Sequence, residues 1–249
     1  MSSSKGLSGI IAGDSSISTV GTGAGLTYRG YSIQDLALKS TYEEVLYLLM
    51  YERLPRKDEL ENFLQTIAKK RDIPLVLKFI LENIPGNANC MDLLRTVASI
   101  LGTLEPETKE NNQFDITIRL IAVFGPCLLY WYHYHKSKKT IRLKTNTGEK
   151  DSVAVNFIKL LHNDNKTPDP LIVKAIDVSL ILYAEHDFNA STFAARVTSS
   201  TKSDFYSGIV SAIGTLRGNL HGGANEAAME FISEIKSIEE VEKVVIIIC

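Results

Sequence analysis

Ile116-Thr-Ile-Arg-Leu-Ile-Ala-Val-Phe-Gly-Pro-Cys-Leu-Leu-Tyr-Trp-Tyr-His-Tyr134 carries a single charge, Arg119. Two structures accommodate such a run. A membrane span needs about 20 apolar residues, and Trp131, Tyr132 and Tyr134 imitate the aromatic belt of a bilayer surface. A helix apolar on every side is otherwise the central helix of a large helical core. Neither flank has targeting character and nothing else in the chain is lipid-like. The run is therefore read as a helix buried in protein, with no membrane involved.

On either side of it the pattern is helical. Leu60, Phe63, Leu64, Ile67 and Ala68 follow the i, i+3, i+4, i+7, i+8 stripe of an amphipathic helix. Thr41-Tyr-Glu-Glu44 is a capping box, opening a helix that runs to about Tyr51. Pro55 interrupts, and Ile73-Pro74 marks the next break. Further helices are expected over 89–103, 113–135, 152–162, 169–185, 190–199, 203–217 and 223–245, with Phe205, Ile209, Ile213 and Leu216 forming a second regular stripe. Residues 7–31 differ: they are rich in Gly, Ser and Thr, and the short runs Ile17–Val20 and Leu26–Tyr28 suggest small strands joined by turns. The fold class is all-α with a small N-terminal β element, divided as 1–31 and 32–249. Lys136–Lys150, basic and Gly-containing, reads as a surface excursion between helices.

Composition removes several functions. The chain has 249 residues, 45% hydrophobic and 22% charged, which is the balance of a globular protein able to bury a sizeable core. With 27 Lys+Arg against 29 Asp+Glu there is no basic field, so no nucleic acid is expected. Cys90, Cys127 and Cys249 are odd in number and far apart, which fits neither a disulfide framework nor a CxxC metal site. Together with a start, Met1-Ser-Ser-Ser-Lys5, lacking an apolar stretch, they suggest a reducing, cytoplasmic setting. Gly21-Thr-Gly-Ala-Gly25 has the wrong spacing and context for a dinucleotide fingerprint and reads as a tight turn. His133 and His135 lie two positions apart, on different faces of a helix, so they do not chelate one ion, and no metal is expected.

Two other histidines stand in more informative surroundings. The apolar helix from Ile172 to Tyr183 ends in Glu185-His186-Asp187 and is expected to be buried nearly all round, delivering polar groups that need partners. Asn189-Ala-Ser-Thr192 then starts the next helix with a capping residue, and backbone N–H groups there favour an anionic ligand. Read alone, this segment favours a satisfied core histidine for His186. His221, in Arg217-Gly-Asn-Leu-His-Gly-Gly-Ala-Asn-Glu226, precedes two glycines that let a substrate approach the backbone. A neutral imidazole by a helix N-terminus can donate a hydrogen bond to a developing enolate oxygen. A helix-connecting loop that happens to contain histidine is the plainer alternative.

Together these residues resemble a known family. Leu220-His-Gly-Gly-Ala-Asn-Glu226 looks like the catalytic-histidine loop of the citrate synthase family, and Glu185-His-Asp-Phe-Asn-Ala-Ser-Thr-Phe193 like its oxaloacetate-binding segment. Gly6-Leu-Ser-Gly9, Ser18-Thr-Val20, Tyr28-Arg-Gly-Tyr31 and Asp35-Leu36 match as well, and Leu129-Tyr-Trp-Tyr132 inclines the resemblance toward the 2-methylcitrate synthase branch. The resemblance implies a citrate synthase-like large helical domain over 32–249. It implies condensation of propionyl-CoA or acetyl-CoA with oxaloacetate, with the acyl-CoA a substrate and no cofactor. A carboxylate removes the α-proton and a histidine stabilises the enol(ate). His221 is the implied catalytic, enol-stabilising histidine, and His186, Asn189 and Arg71 the implied substrate-binding residues, in a homodimer.

The family's next motif, Gly-Phe-Gly-His, and the aspartate after it do not occur in these residues. The expectation is a truncated acyltransferase, inactive as this chain stands, with the small domain mostly missing and only its start at the C-terminal end. The alternative of another class is an inactive scaffold that at most binds a dicarboxylate or a partner subunit.

Overall fold

A computed structural model describes residues 13–19, 25–137, 148, 150–223, 229, 230, 233 and 235. The N-terminal part is a three-stranded antiparallel sheet in the order β1 (Ser18–Thr19), β2 (Thr27–Tyr28), β3 (Tyr31–Ser32). Ser18 pairs with Tyr28 and Tyr28 with Tyr31. Arg29 and Gly30, with φ of +47° and +86°, turn β2 into β3; two left-handed residues match the twist of such a hairpin, which is why glycine occupies the second place. The strands are shorter than the runs expected from sequence, and β3 is an addition to them.

Ten helices follow among the described residues: α1 (Ile33–Lys39), α2 (Tyr42–Tyr51), α3 (Lys57–Lys69), α4 (Leu75–Asn83), α5 (Cys90–Leu104), α6 (Gln113–Ser137), α7 (Val153–His162), α8 (Pro170–Tyr183), α9 (Ala190–Ser200) and α10 (Phe205–Leu216). The all-α class is borne out. The capping box at α2 forms as read: Glu44 donates its N–H to Thr41 Oγ1 at 3.3 Å, and Thr41 N–H reaches Glu44 Oε2 at 2.7 Å. α3 ends at Lys69, and Pro74 stands at the N-cap of the next helix, α4, which the sequence reading did not single out. The helix expected over 223–245 lies mostly outside the described residues, as does most of Lys136–Lys150.

α6 is the centre of the molecule, packing on α3, α4, α5, α7 and α10. Ile116, Leu120, Val123, Cys127, Leu129 and Trp131 are buried in one cluster with Leu77 and Leu81 of α4, Val97 and Leu101 of α5, and Ile213 of α10. The helix is long and apolar enough to cross a membrane, yet most of its apolar stretch is packed inside the protein. Burying each such side chain contributes about 1.5–3 kcal/mol, so the apolar run accounts for the core. Arg119 is buried too, and its guanidinium meets Glu105 at 2.8 Å through both Nε and Nη2. Its Nη1 donates to the Lys70 carbonyl at 2.5 Å and the Asp72 carbonyl at 2.7 Å, closing the end of α3.

α8 corrects one expectation. It is not buried all round: Asp177 and Ile181 are its buried residues, whereas Leu171, Ile172, Leu182 and Tyr183 are exposed. One face packs on α1, α2 and α7, and the opposite face stays open.

Candidate active site

α9 and α10 form an antiparallel hairpin. Asp204 caps α10 by accepting the Ser207 N–H at 3.0 Å, and Thr198 of α9 donates to Ser211 of α10 at 2.8 Å. A side chain at Gly208 would come 2.9 Å from Ser199 Oγ, so glycine lets the two helices approach closely. The hairpin returns the segment after α10 to the beginning of α9.

That segment carries His221 in a tight turn. Gly222 donates to the Leu216 carbonyl at 3.0 Å, His221 to Gly218 at 3.0 Å and Gly223 to Gly218 at 3.3 Å. A Cβ at Gly222 would stand 2.1 Å from the Leu216 carbonyl oxygen, so no other residue fits. Gly223 is different, since a Cβ there meets nothing closer than 3.5 Å. The two glycines after the histidine thus have separate roles: the first closes the turn, and the second tolerates a methyl group.

At the start of α9 the Asn189 side chain accepts the Thr192 N–H at 3.0 Å, and its amide donates to Thr192 Oγ1 at 3.0 Å. Ser191 Oγ lies 3.0 Å from Asn189 Oδ1 and 2.5 Å from His221 Nε2. The two histidine motifs are joined through this serine. A hydroxyl has one hydrogen. The Asn189 amide oxygen can only accept, so that hydrogen goes to Asn189 Oδ1, and the Ser191 oxygen accepts from Nε2–H of His221.

His186 is exposed, on the loop between α8 and α9. The backbone on both sides of it is held. The Tyr28 hydroxyl reaches the carbonyls of Ile181 and Glu185 at 3.0 Å each and that of Leu182 at 3.3 Å. Ser18 donates to Glu185 Oε1 at 2.9 Å, and Asp187 donates its N–H to Glu185 Oε1 at 2.5 Å and to Ser18 Oγ at 3.2 Å. Burial holds the Tyr28 hydroxyl above its ordinary pKa, keeping it a donor. Asp187 takes a left-handed φ of +51°, and its buried Oδ1 has no hydrogen-bond partner among the described residues. Arg196 stacks over Phe188 with 4.8 Å from its guanidinium carbon to the ring centre.

The structure thus brings His221 and Asn189 together at the N-terminus of α9, with His186 three residues before Asn189. Arg71 is elsewhere. It is 3% exposed, donates Nη2 to the Asp151 carbonyl at 2.6 Å, and lies near the carboxylates of Asp151 and Glu43. Burial lowers its pKa, and those two carboxylates oppose the shift. The cavity beside it, of about 20 Å³, has room for about one water. Two larger cavities among the described residues, about 540 Å³ where α2, α7 and α8 begin and about 450 Å³ between α5, α9 and α10, have neither site histidine in their walls. The histidine loops lie on an open face, with Leu220 fully exposed beside them. Of the two other histidines read above, His133 Nε2 is 2.8 Å from the Leu160 carbonyl and His135 packs beside Trp131, so both belong to core packing.

Ser191 escaped the sequence reading as a site residue. Its position in Asn-Ala-Ser-Thr was quoted for capping, and nothing local connects it with a histidine thirty positions away. Tyr130 and Trp131, from the aromatic run that suggested a branch of the family, are core residues: Tyr130 bonds Glu82, and Trp131 donates to the Ile84 carbonyl at 3.3 Å.

Comparison with known proteins identifies the family and the fold. The family model described as citrate synthase, C-terminal domain, matches residues 6–247. A 2-methylcitrate synthase of Shewanella oneidensis is 49% identical over 232 residues, covering 93% of this chain and 60% of that protein. The crystal structure of citrate synthase from Thermotoga maritima superposes with a TM-score of 0.80 at 38% identity, over 97% of this chain and 63% of that one. Citrate synthase from Thermoplasma acidophilum, solved as a ternary complex with carboxymethyl coenzyme A and oxaloacetate, gives 0.80 at 28% identity, over 95% and 61%. The chain spans about 60% of the length of the relatives it matches. A family match running through both histidine loops, on a shared helical fold, makes this chain a member of the citrate synthase family.

Proposed function

We propose that these residues form the oxaloacetate-binding and enol-stabilising half of an acyl-CoA condensing site. The observation that carries the reading is the 2.5 Å contact of Ser191 with His221, which puts a histidine at the N-terminal end of α9 beside the loop bearing His186. A helix N-terminus attracts carboxylates through its unbonded N–H groups and its dipole. His186 and Asn189 would hold the dicarboxylate there. His221 would offer its ring N–H to the oxygen that becomes negative when the acyl-CoA loses its α-proton. Arg71 has the least support of the expected set, because its buried guanidinium is engaged by Asp151.

Propionyl-CoA is the proposed acyl donor, by likeness to the Shewanella enzyme named 2-methylcitrate synthase; acetyl-CoA is the runner-up. One methylene discriminates by only about 1–3 kcal/mol. A homodimer with a cytoplasmic location belongs to the same reading. In its support, α9 has no buried residue although it packs against α10, and Val197 on it is 52% exposed.

Calorimetric titration with oxaloacetate tests the site, and release of CoA thiol from each acyl donor tests the reaction. Binding that is lost in His186→Ala supports the proposal, and a chain that binds no oxaloacetate overturns it. Binding without CoA release from either donor is what the scaffold alternative expects.

A further inference from the structure

The loop bearing His186 is held by the N-terminal sheet, across more than 150 residues of sequence. Ser18 of β1 and Tyr28 of β2 are direct cross-strand partners, so their side chains emerge on the same face of the ladder. Both reach the end of α8. Tyr28, with no exposed surface, places its hydroxyl among the carbonyls of Ile181, Leu182 and Glu185 at the C-terminal end of the helix, where Ile181 also accepts the Ala184 N–H. Ser18 makes two bonds that use its single hydrogen consistently: it donates to Glu185 Oε1 and accepts the N–H of Asp187. His186 therefore has a pinned residue on each side. Asp187 stands at φ +51°, a conformation a non-glycine residue keeps only when its surroundings impose it. The two acceptors on its N–H, Ser18 Oγ and Glu185 Oε1, impose it here.

We propose that Ser18, backed by Tyr28 across the ladder, is a positioning residue for the keto-acid subsite, fixing the backbone from which His186 is presented. The inference rests on the functional reading of His186 given above. Ser18 touches no substrate in this scheme; it acts through the Glu185–Asp187 turn. Removing its hydroxyl leaves one acceptor on the Asp187 N–H and takes a donor from the Glu185 carboxylate. The left-handed turn then competes with ordinary backbone conformations, and His186 is correctly placed for a smaller share of the time. Affinity falls in proportion to that share.

The test is oxaloacetate binding to the 249-residue chain by calorimetry, with hydrogen exchange of the Asp187 amide as a readout independent of ligand. Ser18→Ala should weaken binding about tenfold, the size of one hydrogen bond to a charged group, and should speed exchange at Asp187 while leaving amides in α6 unchanged. Ser18→Thr, which keeps the hydroxyl, should restore both. Glu185→Ala serves as the second variant should Ser18→Ala fold poorly, and should act in the same direction. If Ser18→Ala binds as the parent does while His186→Ala does not bind, the positioning role is wrong and the functional reading stands. If the parent chain binds no oxaloacetate, or binds it equally with His186→Ala, the functional reading falls and the inference falls with it.

Discussion

Ser191 Oγ and His221 Nε2, thirty positions apart in sequence, meet at 2.5 Å because the α9–α10 hairpin folds the end of one helix back to the start of the other. The contact makes the histidine's tautomer a property of the fold. With the Ser191 hydrogen given to Asn189 Oδ1, Nε2 of His221 carries the ring hydrogen. Nitrogen-15 shifts of the His221 ring should report an Nε2–H form in the parent chain and a mixture in Ser191→Ala. Where condensation is measurable, that variant should lower kcat about 10- to 100-fold with little change in the KM for oxaloacetate, as expected for a hydrogen bond that orients a charge-stabilising donor. A His221 ring whose tautomer is indifferent to Ser191 would remove this role.

Gly222→Ala should destabilise the chain by about 1–3 kcal/mol, the range for imposed backbone strain, because its methyl would stand 2.1 Å from the Leu216 carbonyl. Gly223→Ala should be nearly neutral, its methyl meeting nothing closer than 3.5 Å. Denaturant midpoints of the two variants decide. Equal effects would mean that the turn is not closed as described.

Arg119→Leu should cost about 2–3 kcal/mol, since it frees a bidentate carboxylate partner and two carbonyls at once. Glu105→Gln should cost less, because its side chain is 32% exposed and water replaces part of what is lost. Thermal melts of both variants supply the measurement. The order of the two, Arg119 above Glu105, is the prediction.

Two buried carboxylates make stability depend on pH. Burial, the largest cause in each case, holds Glu43 and Asp177 above their ordinary pKa, although each accepts a backbone N–H: Val153 N–H at 2.7 Å for Glu43, Tyr42 N–H at 2.9 Å for Asp177. A carboxyl with a raised folded-state pKa binds its proton more tightly folded than unfolded. Its contribution is complete below the unfolded value, 4.5 for glutamate, and is lost as pH rises through the folded one. Glu43→Gln, which keeps an acceptor for Val153, should gain on the parent steadily as pH is raised from about 4.5 into the neutral range. Urea midpoints across that range are the check, and a parallel pair of curves would refute the assignment.

Much of the architecture was legible without tertiary information. The stripe at Leu60–Ala68, the Thr41–Glu44 box, the Asn189 cap and the break at Pro74 depend on residues within a turn or two of each other, and each reappears where it was read. The low charge of 116–134 was enough to expect a central helix, since such a surface needs an apolar cover on every side. The same reasoning failed at α8, whose composition is as apolar but whose outer face is exposed. Composition records how hydrophobic a helix is, not how many neighbours reach it.

For the site, the sequence singled out the candidate residues, and the tertiary structure decided their company. His186 and His221 stood out by their flanking residues alone. That His221 meets Ser191, that Ser18 and Tyr28 of the N-terminal sheet hold the turn around His186, and that Arg71 is engaged by Asp151 are contacts across 30 to 167 positions. The physical reason is one of range. Periodicity, caps and turns act through a few backbone hydrogen bonds within one segment, whereas these partners are chosen by how whole helices pack, and packing is settled by the combined shape of many side chains at once.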